Sequence, residues 1–188
     1  MAQNAENVHI PKPKVGGSVY SADRGTNVPT DASTALQEGF NSLGYIHEDG
    51  ITEAINGDTE GFKAFGGDEV AVVRTDHEVT YAFHPIETNK HALAERYGQD
   101  NVTVDSKGNI AVLVNSKQSA ARSYVFEVLL SETMVERTVV PRGKVIEVGE
   151  MKYSGSEPLG SEIKIKALPD EQGNKAYKYY AEIEEESA

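Results

Sequence analysis

HEVTYAFH, residues 77–84, alternates without a fault. Val79, Tyr81 and Phe83 face one way; Glu78, Thr80, Ala82 and His84 face the other. A period of two marks a strand with one face in a core and one toward solvent. The same pattern recurs in RSYVFEVLLSET, residues 122–133, where Tyr124, Phe126, Val128 and Leu130 share a face and Ser123 and Glu127 contribute to the other.

Further strands are expected on either side of these two. Val15–Ala22 is a short one. Tyr45–Ile55 is another, with a turn or bulge at Asp49-Gly50. Glu69–Arg74 reads as a buried strand, and 56–67 as a loop or partly extended segment. Asn101–Asp105 and Asn109–Val114 flank the three-residue loop Ser106-Lys107-Gly108, a hairpin signal. Met134–Val140 and Lys144–Tyr153 flank Pro141-Arg142-Gly143, a turn signal. Glu162–Ala167 and Lys178–Glu184 complete the set. A helix is predicted from Thr88, as cap, to Tyr97, closed by Gly98. A second, short helix is expected after Thr30 or Asp31, because Leu36, Phe40 and Leu43 recur on one helical face before Gly44. Many antiparallel-looking strands at this spacing argue for a mainly β fold, a β-sandwich or barrel with one flanking helix. The expected organisation is an extended arm over 1–14, one β domain over 15–184 and a short acidic tail over 185–188.

The chain has 188 residues and a formal charge of −12. That balance argues against ordinary nucleic-acid binding, which needs cations to replace the counterions on phosphates. It serves solubility by self-repulsion, or a surface built to repel a polyanion. With no cysteine, neither a disulfide framework nor a thiolate metal site is possible. The first residues lack the basic start and apolar block of a signal peptide. No apolar run approaches the ~20 residues of a membrane span, so a soluble protein is expected.

Motifs that carry chemistry are missing. The five histidines, His9, His47, His77, His84 and His91, show no zinc-ligand spacing. There is no phosphate-binding glycine loop and no GxSxG elbow. Asp105, Lys107 and Asn109 lack the acidic alternation and closing Glu of a calcium loop. The expectation is a protein that is not an enzyme and holds no cofactor or metal. Attention turns instead to residues 15–67, rich in Gly, Thr, Asp and Ser and hard to justify as core. Such a segment reads as surface that meets another copy of the chain.

That segment has a recognisable order. A strand carrying Gly16-Gly17 precedes Gly25-Thr26 and Pro29-Thr30-Asp31. Leu43-Gly44-Tyr45-Ile46, Glu48-Asp49-Gly50-Ile51 and Phe65-Gly66-Gly67-Asp68 follow, then Glu87-Thr88 and a helix ending Tyr97-Gly98. Over residues 15–100 this resembles the major tail (tail tube) proteins of long, non-contractile-tailed bacteriophages. The resemblance implies a sandwich or half-barrel whose inner strands join, in a six-membered ring, into one continuous β-barrel. Rings would stack into a tube that conducts DNA without binding it by sequence, with no catalysis, cofactor or membrane. Tape-measure, tail terminator and distal tail proteins are the implied partners. Assembly would take place in the host cytoplasm and the product would reside in the virion tail.

Two sets of residues are then of interest. Glu78, Glu136 and Glu147 stand on polar strand faces and are candidates to line the lumen; ion pairing between subunits or plain solvation is the competing role. Asn56, Asp58, Glu60, Phe62 and Phe65 are candidates for a contact loop between rings. The alternative function is a β-sandwich binding module, either a virion decoration protein or a carbohydrate-binding surface protein. The absence of Trp weighs against a carbohydrate platform.

Overall fold

The computed structural model describes residues 4, 5, 8–14 and 17–182. The tail expected at 185–188 lies outside them, as do Val15, Gly16 and part of the expected arm. In chain order the strands before the helix are β1 (Lys12–Pro13), β2 (Val19–Asp23), β3 (Asn41–Ser42), β4 (Ile46–Asn56), β5 (Thr59–Lys63), β6 (Glu69–Arg74) and β7 (Glu78–Pro85). Helix α1 (Lys90–Tyr97) follows. The strands after it are β8 (Val102–Val104), β9 (Ile110–Val112), β10 (Arg122–Leu129), β11 (Met134–Val148), β12 (Ile163–Ala167) and β13 (Tyr177–Glu182).

Nine strands form one antiparallel sheet in the order β3-β2-β10-β11-β12-β7-β4, with β1 added to β10 and β13 to β11. The mainly β expectation holds. Strand β11, 15 residues long, organises the sheet. One edge pairs with β10; the other pairs first with β13 over Met134–Val139 and then with β12 over Gly143–Val148. The turn expected at Pro141-Arg142-Gly143 does not form, and the strand runs straight through it. Proline survives there because its missing N–H falls where the partner changes from β13 to β12. On the β10 side a register shift between Arg122 and Tyr124 lies opposite it, and Ser123 Oγ donates to Pro141 O at 2.9 Å. Bulges are among the few places a sheet admits proline. Gly143 is required for a different reason: a Cβ there would lie 2.6 Å from the Tyr124 ring.

The sheet curls over its own core. Tyr81 of β7 stacks on Phe126 of β10 with centroids 4.9 Å apart, and Phe83 lies 5.7 Å from the same ring. These strands are separated by β11 and β12 in the sheet, so their faces can meet only if the sheet folds into a half-barrel. Val19, Leu43, Val79, Tyr124, Val140, Ile163 and Ile165 fill the space between.

Helix α1 forms where predicted, but its cap is Asn89, not Thr88. Asn89 Oδ1 accepts from the backbone N–H of His91 and of Ala92 at 3.0 and 2.9 Å. Gly98, with φ +95°, ends the helix as expected and donates to Ala94 O. The short helix expected before Gly44 does not form. The Asp31 carboxylate takes the Ser33 and Thr34 N–H groups at 2.8 and 2.6 Å, offering the backbone a turn in place of a helix. Gly39 then adopts φ +106°, outside the helical region. Leu43 is fully buried all the same, reaching the core from the end of β3.

Candidate assembly surfaces

Strands β5 and β6 pair only with each other, as a two-stranded ribbon inserted between β4 and β7. The hydrogen bond from Thr75 N–H to Asp58 O, 2.8 Å, closes its base. Every residue of both strands is exposed. This corrects the reading of Glu69–Arg74 as buried: the strand is real, but neither of its faces is covered. The alternate register places Phe62 and Val73 on one face and Val70 and Val72 on the other. All four are at least half exposed. At the tip, Ala64 N–H bonds to Asp68 O and Gly67 N–H to Ala64 O, and Phe65 projects from this turn at 109% relative exposure. A lone two-stranded ribbon is marginal in water, and this one carries exposed apolar side chains on both of its faces.

Of the expected contact residues, Phe62 and Phe65 are thus presented outward, with Glu60 paired opposite Val73. Asn56 ends β4 opposite Glu78. Asp58 holds the base through its carbonyl. The valines were missed because the apolar run Val70-Ala71-Val72-Val73 reads as core on periodicity alone.

The three candidate lumen residues do not share a face. Cross-strand partners point to the same side. Glu147 stands opposite Lys164, and Lys164 opposite Ala82, which shares its side of β7 with Glu78. Glu78 pairs with Lys166 at 3.1 Å and Glu147 with Lys164 at 3.8 Å. Both carboxylates therefore lie on the face away from the half-barrel core, each beside a lysine of β12. Glu136 is opposite Val128 and two residues from Thr138, the partner of Phe126, so it stands on the core side. There Lys178 bridges it at 3.1 Å to Glu53 at 2.7 Å, linking β13 to β4 across an unpaired gap. Burial works against the ionised Glu53 carboxylate, but hydrogen bonds from Lys178 and Tyr81 outweigh it and hold its pKa below the ordinary value.

Two buried charge clusters fix the layers on either side of the sheet. Glu127 and Arg137, 2% and 1% exposed, form an ion pair between β10 and β11. Lys14 reaches the same carboxylate at 3.0 Å, and Arg137 Nη1 donates to the carbonyls of Asp31 and Thr34, both at 2.8 Å. This cluster pins the turn at 31–34 against the sheet. On the core side, Glu95 of α1 accepts from Ser21 Oγ at 2.7 Å and Tyr124 OH at 2.6 Å and lies 2.9 Å from Arg122 Nε. Burial, with the Glu95 charge beside it, pushes the Tyr124 phenol well above its usual pKa. Residues 17–43 are thus part of the folded body, contributing Val19, Ala22, Ala32 and Leu43 to its interior. Later in the segment expected to be surface, the ribbon is exposed along the whole of both strands.

Among the described residues no group of three or more metal-ligating side chains comes together. No helix among them is long and apolar enough to cross a membrane.

A family model described as "Phage tail tube protein" matches residues 1–187. No curated protein matches the chain. Among solved structures, the sheath-tube complex of an extracellular contractile injection system (PVC) in its extended state contains a similar chain. Identity is 6%, the TM-score 0.46, and the match covers 94% of this chain and 98% of that one. A chain of the anti-feeding prophage tube-terminating cap is similar at 9% identity and a TM-score of 0.43, covering 96% of this chain and all of the other.

Proposed function

Because the chain belongs to the phage tail tube protein family, we propose that it builds six-membered rings that stack into the tube of a long, non-contractile phage tail. It is a tube structural protein and not an enzyme. In the proposed tube, genomic DNA passes through the lumen on its way into the host. The order of motifs across residues 15–100 supports the long-tailed class. The observation that carries the assembly reading is the β5–β6 ribbon, exposed along both strands beside a nine-stranded sheet that builds a packed half-barrel. In this reading Asn56, Asp58, Glu60, Phe62 and Phe65 contact the neighbouring ring, joined by Val70, Val72 and Val73. The edges of β4 and β13 that carry no strand partner among the described residues supply the strands that close a shared barrel, since closure alone removes exposed edges.

The lumen set narrows to Glu78 and Glu147, on the face away from the core. Each has a lysine partner, so the wall they form is a lattice of ion pairs with little bare cation for phosphate to hold. Tape-measure, terminator and distal tail proteins are the partners of such a tube, which assembles in the host cytoplasm and resides in the virion tail.

Negative-stain microscopy of the purified chain tests this reading. Tubes or six-fold rings are expected. Joining Asp58 to Thr75 through Asn-Gly in place of 59–74 should leave the melting temperature close to wild type and abolish the tubes. Persistent monomers across salt and concentration, with tail-tip initiator added, would overturn the proposal.

A further inference from the structure

The edges of the main sheet are of two kinds. Strand β4, 11 residues long, and β13, 6 residues long, each pair on one side only among the described residues. The side of β10 away from β11 is closed more carefully. Strands β1 and β2 lie in line along it, Lys12 and Pro13 against Leu129 and Val128, then Val19–Asp23 against Phe126–Arg122. Strand β3 covers β2 at Tyr20 and Ser21. No strand covers β1 among the described residues, and both of its residues are exposed.

The sequence there is Pro11-Lys12-Pro13, and backbone parity decides what it presents. Glu127 donates its N–H to Ser18 O at 2.8 Å, so its backbone groups turn toward the β1–β2 side. Residues two apart on a strand turn these groups to the same edge, so those of Leu129 turn the same way. Lys12, opposite Leu129, therefore turns its own N–H and C=O inward. Those of Pro11 and Pro13 turn outward, and proline has no N–H. The outer edge of β1 thus offers carbonyls at 11 and 13 and no donor.

We infer that Pro11-Lys12-Pro13 is an edge guard: it closes the β10 side of the sheet to strand addition and leaves subunits to associate through β4 and β13. It regulates the assembly proposed above and rests on that reading for which edges pair. An added antiparallel strand needs donors and acceptors along the edge it joins, and a short edge rich in proline denies it the donors. Two residues alone would fray, but this strand is tethered. Lys14 Nζ reaches the buried Glu127 carboxylate at 3.0 Å, and Gly17 N–H donates to Lys14 O at 3.2 Å on the way into β2.

Pro11→Thr/Pro13→Thr restores both donors without adding a large apolar side chain. Its control is Pro158→Thr, at an exposed proline outside any strand. Wild type and control should give tubes and soluble subunits. The double variant, melting close to wild type, should also give irregular lateral aggregates that bind a β-sheet dye. These should appear at a concentration about tenfold lower than any formed by wild type, the effect of two added backbone hydrogen bonds. A double variant as soluble as wild type would overturn the guard and leave the tube reading intact. Hydrogen exchange on the unaltered chain tests the geometry without a variant. The Lys12 and Leu129 amides should be protected, and free exchange at either would overturn the inward pairing. Failure of the wild-type chain to form rings or tubes would remove the tube reading alone.

Discussion

Asp31 shows how one side chain replaces an element. Four donors converge on its carboxylate: the backbone N–H and the hydroxyl of both Ser33 and Thr34. Thr34's backbone and side-chain bonds, followed by those from Ser33, lower its pKa to about 2. A carboxylate lowered below its ordinary value of ~4 stabilises the fold above that value and loses the contribution as pH falls toward the folded one. Asp31→Ala should therefore be less stable than wild type at neutral pH. The gap should narrow between about pH 4 and pH 2, read from urea unfolding across that range. A gap independent of pH would assign the effect to packing. The same turn supplies the two carbonyls that satisfy Arg137. That matters because a buried cation left without partners costs several kcal/mol. Asp31 and Thr30 were legible as polar cap residues. Their turn, and its docking onto an arginine 106 residues away, was not, since Arg137 is one of many charged residues until β11 places it.

Among the elements, β7, β10 and β12 were legible because their alternation is regular, and α1 because Gly98 marks its end. Strand β11 was legible only as two strands, 134–140 and 144–153, because the proline and glycine between them read as a turn, and only the change of partner strands explains why the chain passes straight through. Gly143 belongs to that crossing. Gly143→Ala would press a methyl against the Tyr124 ring and come 3.0 Å from Ile165 Cδ1. Overpacking of this kind costs about 1–3 kcal/mol, measurable as a lower denaturation midpoint with unchanged slope. A neutral substitution would mean that the ring moves aside freely, despite the Tyr124 OH bond to Glu95. The ribbon gives the opposite lesson. Its strand character was legible in Glu69–Arg74, while its exposure was not, because burial depends on what covers a strand and not on the strand's own residues.

For the whole molecule, the formal charge of −12 opposes bringing copies together. Screening shortens the range of that repulsion to ~8 Å at physiological ionic strength. Tube elongation should accordingly quicken as salt rises from about 0.01 M to 0.15 M, followed by light scattering; slowing over that range would mean that attractive ion pairs across the interface outweigh net repulsion. The sequence by itself determined the mainly β class, the flanking helix, the absence of a recognisable catalytic motif and the family order over 15–100, because periodicity, capping residues and motif order are local properties. Tertiary structure decided the rest. It divided the glutamates, sending Glu78 and Glu147 to one face and Glu136 to the other, because a residue's face follows from register and bulges between strands distant in sequence. It also divided the glycine-rich stretch first read as surface: residues 17–43 place Val19, Ala22, Ala32 and Leu43 in the body, while the ribbon from 59 to 74 is exposed along both strands, because apolar side chains are buried only where another layer reaches them.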